Sequence, residues 1–185
     1  MLANLFGDFV KGKDYSYLPD IVQKGVLLHR QIDDFVDHHP KVTELRLKLY
    51  KDLPKIAGIA IDLYFDHLLA KNWSTYHNQQ LDQFIDDFLT YALDAKHQSF
   101  SETPFNYPRR YIHLLTLIKR YDWINRYVHL EGLEMASKGL SKRISFENNL
   151  NQATGVYVEN EREIQSVFEE FMIDAKNKFD SSPIL

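Results

Sequence analysis

Between Lys55 and Trp73 the chain runs Ile-Ala-Gly-Ile-Ala-Ile-Asp-Leu-Tyr-Phe-Asp-His-Leu-Leu-Ala-Lys-Asn, the most apolar segment of the sequence. A stretch of this length with no internal proline reads as a core helix. Yet Asp62 and Asp66 lie four residues apart in it and His67 is adjacent, so ligand-type groups project from a helix otherwise fit for the interior. A buried carboxylate left alone costs roughly several kcal/mol, so it must be paired, hydrogen-bonded or bound to a cation. Any fold for this chain has to bury the helix and satisfy those groups together.

The remainder points to an all-α, single-domain helical bundle. Seven glycines and six prolines in 185 residues are few, and 44% hydrophobic with 26% charged residues is ordinary for a globular chain. No Pro- or Gly-rich linker divides the sequence, so one domain over 1–185 is expected. Pro19 fits the first turn of a helix running through His39, and Pro40 ends it. Further helices are expected over 41–53, with Leu45, Leu49 and Leu53 inward, and over 81–98, 109–127, 132–143 and 149–179. The last carries Val158, Ile164, Val167, Phe168, Phe171 and Met172 as its apolar series.

The first long helix holds a second set of ligand-type residues. Gly25 to Pro40 contains three histidines, three aspartates and an arginine. His29, Asp33 and Asp37 recur every fourth residue and share a face, whereas His38 and His39 read as exposed or capping. Near the start, Asp8 stands between Phe6 and Phe9, where burial is otherwise expected. Two helices bearing Asp and His amid apolar neighbours suggest one site built from His29, Asp33, Asp66 and His67. Arg30 offers a planar fork for phosphate, or an ion pair with Asp34.

Several functions are excluded or disfavoured. A formal charge of −4 argues against a general nucleic-acid binder. Without cysteine, any metal must be held by His, Asp, Glu or water, a donor set that suits Mn, Mg, Fe or Zn alike. There is no Gly-rich phosphate loop, no Gly-x-Ser-x-Gly elbow, no His-Glu-x-x-His motif and no pair of Glu-x-x-His motifs. No apolar run is long enough to span a bilayer and no signal-peptide pattern opens the chain, so a cytoplasmic location is expected. Metal-assisted hydrolysis is the chemistry such a site supports.

At this level of detail the sequence resembles the acyl carrier protein phosphodiesterases, also called acyl carrier protein hydrolases. The resemblance rests on Asn-Leu-Phe-Gly-Asp-Phe-Val-Lys-Gly at Asn4 to Gly12 and Gly-Val-Leu-Leu-His-Arg-Gln-Ile-Asp at Gly25 to Asp33. It extends through Asp37-His38-His39-Pro40 and Asp62 to Trp73, and more loosely through Tyr121 to Tyr127, Met135 and Ser141 to Arg143. It implies an all-helical fold distantly like the HD phosphohydrolases. It also implies a Mn-dependent phosphodiester hydrolase that removes 4'-phosphopantetheine from holo acyl carrier protein.

On the same resemblance the metal-site residues fall on Asp8, His29, Asp33, Asp66 and His67, with Arg30, Asp33 and His67 as catalytic candidates. A water attacks phosphorus, the carrier's serine oxygen leaves, and a His or Asp supplies its proton. Family members carry a further segment with an Asn-Phe-Leu-Ala-His pattern ahead of the part matching Asn4. If its histidine is a ligand, the chain as given binds metal weakly. Because carrier proteins are acidic, a local basic patch is also expected, either Arg109, Arg110, Lys119, Arg120 and Arg126 or Lys138, Lys142 and Arg143. Two other readings stay open: an HD-like enzyme acting on a nucleotide or small phosphoester, and a non-catalytic helical protein-binding module.

Overall fold

The computed structural model describes residues 1–100 and 105–180. These residues are all-α: no strand is present among them, only an isolated antiparallel bridge between Ser99 and Asn106. No helix is long and apolar enough to cross a membrane. The helices, in order, are α1 (Leu2–Leu5), α2 (Asp20–His38), α3 (Pro40–Leu49), α4 (Ala57–Lys71), α5 (Trp73–Tyr76) and α6 (Leu81–Leu93). They continue with α7 (Arg109–Tyr121), α8 (Trp123–Arg126), α9 (Leu130–Ser141) and α10 (Ala153–Phe179). The chain forms two compact units from interleaved segments. The first takes Met1–Phe35 and Asp82–Asp122, and the second takes Val36–Leu81 and, of the described residues, 123–180. Interleaving explains why composition shows no boundary.

In the first unit, Phe6, Tyr107 and Tyr111 form an aromatic core, with Phe6 ring centroids 5.1 Å from Tyr107 and 5.2 Å from Tyr111. Edge-on and tilted contacts of this kind add to the area buried. The Tyr111 hydroxyl donates to the Leu2 carbonyl at 2.7 Å, tying α1 to α7. Val22 and Val26 are the buried residues of α2, and Ile32 is exposed.

The second unit is organised on α4, whose residues Ala57, Ala60, Ile61, Leu63, Tyr64, Phe65, His67, Leu68 and Ala70 are buried. It packs on α3, α9 and α10. The Tyr64 hydroxyl donates to the Ala153 carbonyl at 2.7 Å, and Phe65 lies against Phe168 and Phe171.

Three sequence expectations are corrected here. Val158 is 54% exposed, because α10 turns Val156 and Tyr157 inward and each residue rotates the face by about 100°. His39 is buried, its Nε2 lying 3.2 Å from Asp174 Oδ2 and its ring edge-on to Phe171. The helix expected over 109–127 breaks at Asp122, which takes a left-handed conformation (φ 52°, ψ 43°) that aspartate tolerates better than most residues.

Candidate functional site

In the first unit a short 3-10 turn, Phe6–Phe9, follows α1 directly. Phe6 anchors it in the aromatic core, which presses Gly7 against α2. A Cβ built on Gly7 would lie 2.3 Å from His29 Cγ, and one on Gly25 would lie 2.4 Å from the Ala3 Cβ. Only glycine permits either approach. The turn therefore delivers Asp8 to His29, and the four-residue spacing along α2 delivers Asp33 to the same ring. His29 Nε2 lies 3.3 Å from Asp8 Oδ1 and 3.3 Å from Asp33 Oδ2. The imidazole is mostly enclosed, 18% exposed, while the carboxylates stay open at 72% and 60%. One nitrogen facing two carboxylate oxygens can share a single proton with both, or join them in holding a cation.

Asp37, the third member of that periodic series, is used elsewhere: its carboxylate lies 3.7 Å from Arg46 Nη1 and its carbonyl accepts from Arg46 Nη2. Arg30 donates from Nη2 to the Gly12 carbonyl at 2.6 Å and to the Val10 carbonyl at 3.4 Å. Its guanidinium also lies over the Tyr15 ring, 4.8 Å from the centroid. It fixes the segment that leaves the 3-10 turn.

The second unit holds Asp66 and His67. His67 is 1% exposed, and its Nδ1 donates to the Tyr127 carbonyl at 2.6 Å, which fixes the neutral tautomer with the lone pair on Nε2. That Nε2 is buried and has no hydrogen-bond partner among the described residues. Burial holds the imidazole below its ordinary pKa, and the bond to Tyr127 opposes this. Asp66 keeps an exposed surface, yet crowded surroundings desolvate it, and with the Asp62 carboxylate one turn earlier they push its carboxyl up to about 7. Desolvation and the nearby Asp66 charge push the Tyr127 phenol up to about 12.

Sequence reasoning missed Gly7 and Tyr127. Gly7 carries a signal, a glycine inside an apolar run just before an aspartate. Tyr127 acts through a backbone carbonyl 60 residues away from His67, for which no residue type is a signal. Among the described residues, no three His, Asp or Glu groups are already disposed as a metal cage. The contacts are pairwise, within each unit.

Comparison with known proteins places this all-α chain among the phosphodiesterases. Residues 1–175 match the family described as acyl carrier protein phosphodiesterase, and the chain belongs to that family. It is similar to the acyl carrier protein phosphodiesterase of Escherichia coli O6:H1, 30% identical over 142 residues, which are 76% of this chain and 69% of the relative. The Shigella boydii serotype 18 protein of the same name is also 30% identical, and that of Salmonella dublin 28%, over the same shares. No solved structure matches. The resemblance read from the motifs is borne out, and the chain is an enzyme.

Proposed function

We propose that the protein is a divalent-metal-dependent hydrolase that removes 4'-phosphopantetheine from holo acyl carrier protein. The observation that carries this reading is His29 Nε2 held 3.3 Å from one oxygen each of Asp8 and Asp33, in a chain whose relatives are named for acting on acyl carrier protein. One nitrogen and two carboxylate oxygens are a donor set fit for Mn, and the buried Nε2 lone pair of His67 has the same chemistry. Asp8, His29 and Asp33 are the proposed ligands, with Asp66 and His67 carried alongside them on the family resemblance. Bound there, Mn supplies Lewis acidity toward a phosphoryl oxygen.

The chain's own residues do the rest. Gly7 keeps His29 in register with both carboxylates, and Arg30 holds the Val10–Gly12 segment that follows Asp8. In the reaction a water oxygen forms a bond to phosphorus and the bond from phosphorus to the carrier's serine oxygen breaks. A proton then goes to that serine oxygen, supplied by a His or Asp side chain.

Mass spectrometry of holo carrier protein incubated with the enzyme and Mn tests the reading directly. The expected result is loss of the phosphopantetheine mass from the carrier; an unchanged mass under Mn, Mg, Fe and Zn overturns it. Mn should also raise the melting temperature of the wild type but not of His29→Ala or Asp33→Asn.

A further inference from the structure

Four exposed cations surround the segment that carries Asp8: Lys11 and Lys13 follow it, and Arg109 and Arg110 open α7. The link between the two pairs is Phe9, the residue after Asp8. Arg110 Nη2 reaches the Phe9 carbonyl at 3.4 Å, and its guanidinium lies 5.3 Å from the centre of the Phe9 ring. The Arg30 clamp on the Val10 and Gly12 carbonyls holds the backbone between Lys11 and Lys13. Gly12 takes a φ of 80° there, a left-handed turn that glycine adopts without strain.

No carboxylate pairs with these four cations among the described residues. Asp14, the nearest acid in sequence, spends one oxygen on the Ser16 amide and hydroxyl. Three basic residues elsewhere are engaged: Lys119 lies 3.7 Å from Asp86, Lys138 pairs with Glu134, and Arg126 points to the Met135 sulfur. Four unpaired positive charges thus stand beside the segment that carries Asp8, in a chain whose net charge is −4. The same loop exposes Tyr17 at 67%, and arginine with tyrosine is the composition of a protein interface rather than of a plain solvated face.

We propose that Lys11 and Lys13, on the segment that Arg30 holds, together with Arg109 and Arg110, joined to that segment through the Arg110–Phe9 contact, form the docking surface for an acidic protein. This rests on the function proposed above, under which that acidic protein is the carrier itself. The surface borders the site on the Asp8 side, so an acidic face seated on it brings the carrier's modified serine toward His29. Opposite charge at such an edge speeds encounter and fixes register.

The test uses the full chain and apo carrier protein, which lacks the prosthetic group and so reports docking without turnover. The triple variant Lys11→Glu, Lys13→Glu, Arg109→Glu leaves the Arg110 and Arg30 contacts in place. It should bind about tenfold or more weakly at low salt, and with a shallower salt dependence than the wild type. Its KM for holo carrier should rise in step, and a normal melting curve shows that it is folded. Lys142→Glu with Arg143→Glu, just past the C-terminus of α9, should bind like the wild type. Unchanged affinity in the triple variant, loss in the α9 variant instead, or wild-type binding to nucleic acid or anionic vesicles in place of the carrier each overturns the surface. Charge-dependent binding with no release of phosphopantetheine leaves the surface standing and overturns the proposed function. Release with an unmoved KM does the reverse.

Discussion

Gly7 and His29 stand so close that the smallest side chain at position 7 would fall inside the imidazole, at 2.3 Å from both Cγ and Cδ2. The contact sets the ring between the Asp8 and Asp33 carboxylates. Gly7→Ala is expected to destabilise the protein by about 2–3 kcal/mol, the usual cost of overpacking, and to lower phosphodiesterase activity by displacing His29. Urea denaturation of Gly7→Ala, His29→Ala and the double variant gives the check. Because His29→Ala removes Cγ and Cδ2 but keeps the Cβ 2.6 Å from the added methyl, the double variant should be more stable than the sum of the two losses allows, yet less stable than His29→Ala alone.

Tyr111 closes the first unit through one hydroxyl. Tyr111→Phe leaves the Leu2 carbonyl without that donor, at an expected cost of about 1–2 kcal/mol with the ring packing on Phe6 and Phe9 retained. Chemical denaturation should show a lower midpoint at an unchanged slope.

His67 ties stability to acid. Its folded pKa is depressed below the ordinary 6.5 by burial, so the unfolded chain binds a proton where the folded one does not. The stability this contributes is present above 6.5 and is lost as pH falls below it. His67→Phe, which cannot protonate, should flatten the loss between neutral and mildly acidic pH. It should also start about 1–2 kcal/mol lower at neutrality for want of the bond to Tyr127.

Asp66 acts with the opposite sign. Its folded pKa, about 7, lies above the ordinary 3.8, so the folded state keeps a proton that the unfolded chain has released. Stability contributed by the protonated carboxyl is full below 3.8 and disappears as pH rises through about 7. In chelator-treated protein, Asp66→Asn should therefore gain about 1 kcal/mol over the wild type above neutrality and nothing in acid, a figure already reduced for solvent screening of an exposed carboxyl. Midpoints of denaturation across that range decide it. A constant difference at all pH values would show that Asp66 titrates normally.

The helices were legible where apolar period and proline punctuation agree. Pro19 and Pro40 bracket α2, and α4 reads directly from its composition. The partnership of His29 with Asp33 was legible because both lie on one helix at a four-residue spacing. Asp8 was visible as an aspartate out of place among phenylalanines, but its approach to His29 depends on a 3-10 turn and on the space left by Gly7. The role of Arg30 was not legible, because its acceptors are backbone carbonyls, which every residue possesses. Burial of His39 was hidden for a similar reason: it follows from Asp174 and Phe171, more than a hundred residues away, and no local pattern reports them.

Interleaving of the two units has a consequence for synthesis. The Leu2 carbonyl and the Tyr111 hydroxyl are 109 residues apart, and the first unit needs both Met1–Phe35 and Asp82–Asp122. A ribosome releases the first of these segments on the order of several seconds before the second, at ordinary elongation rates. During that wait Leu2 and Phe6 lack their later partner Tyr111 of α7. The motif around Asp8 is thus made well before the α7 residues that complete its aromatic surroundings.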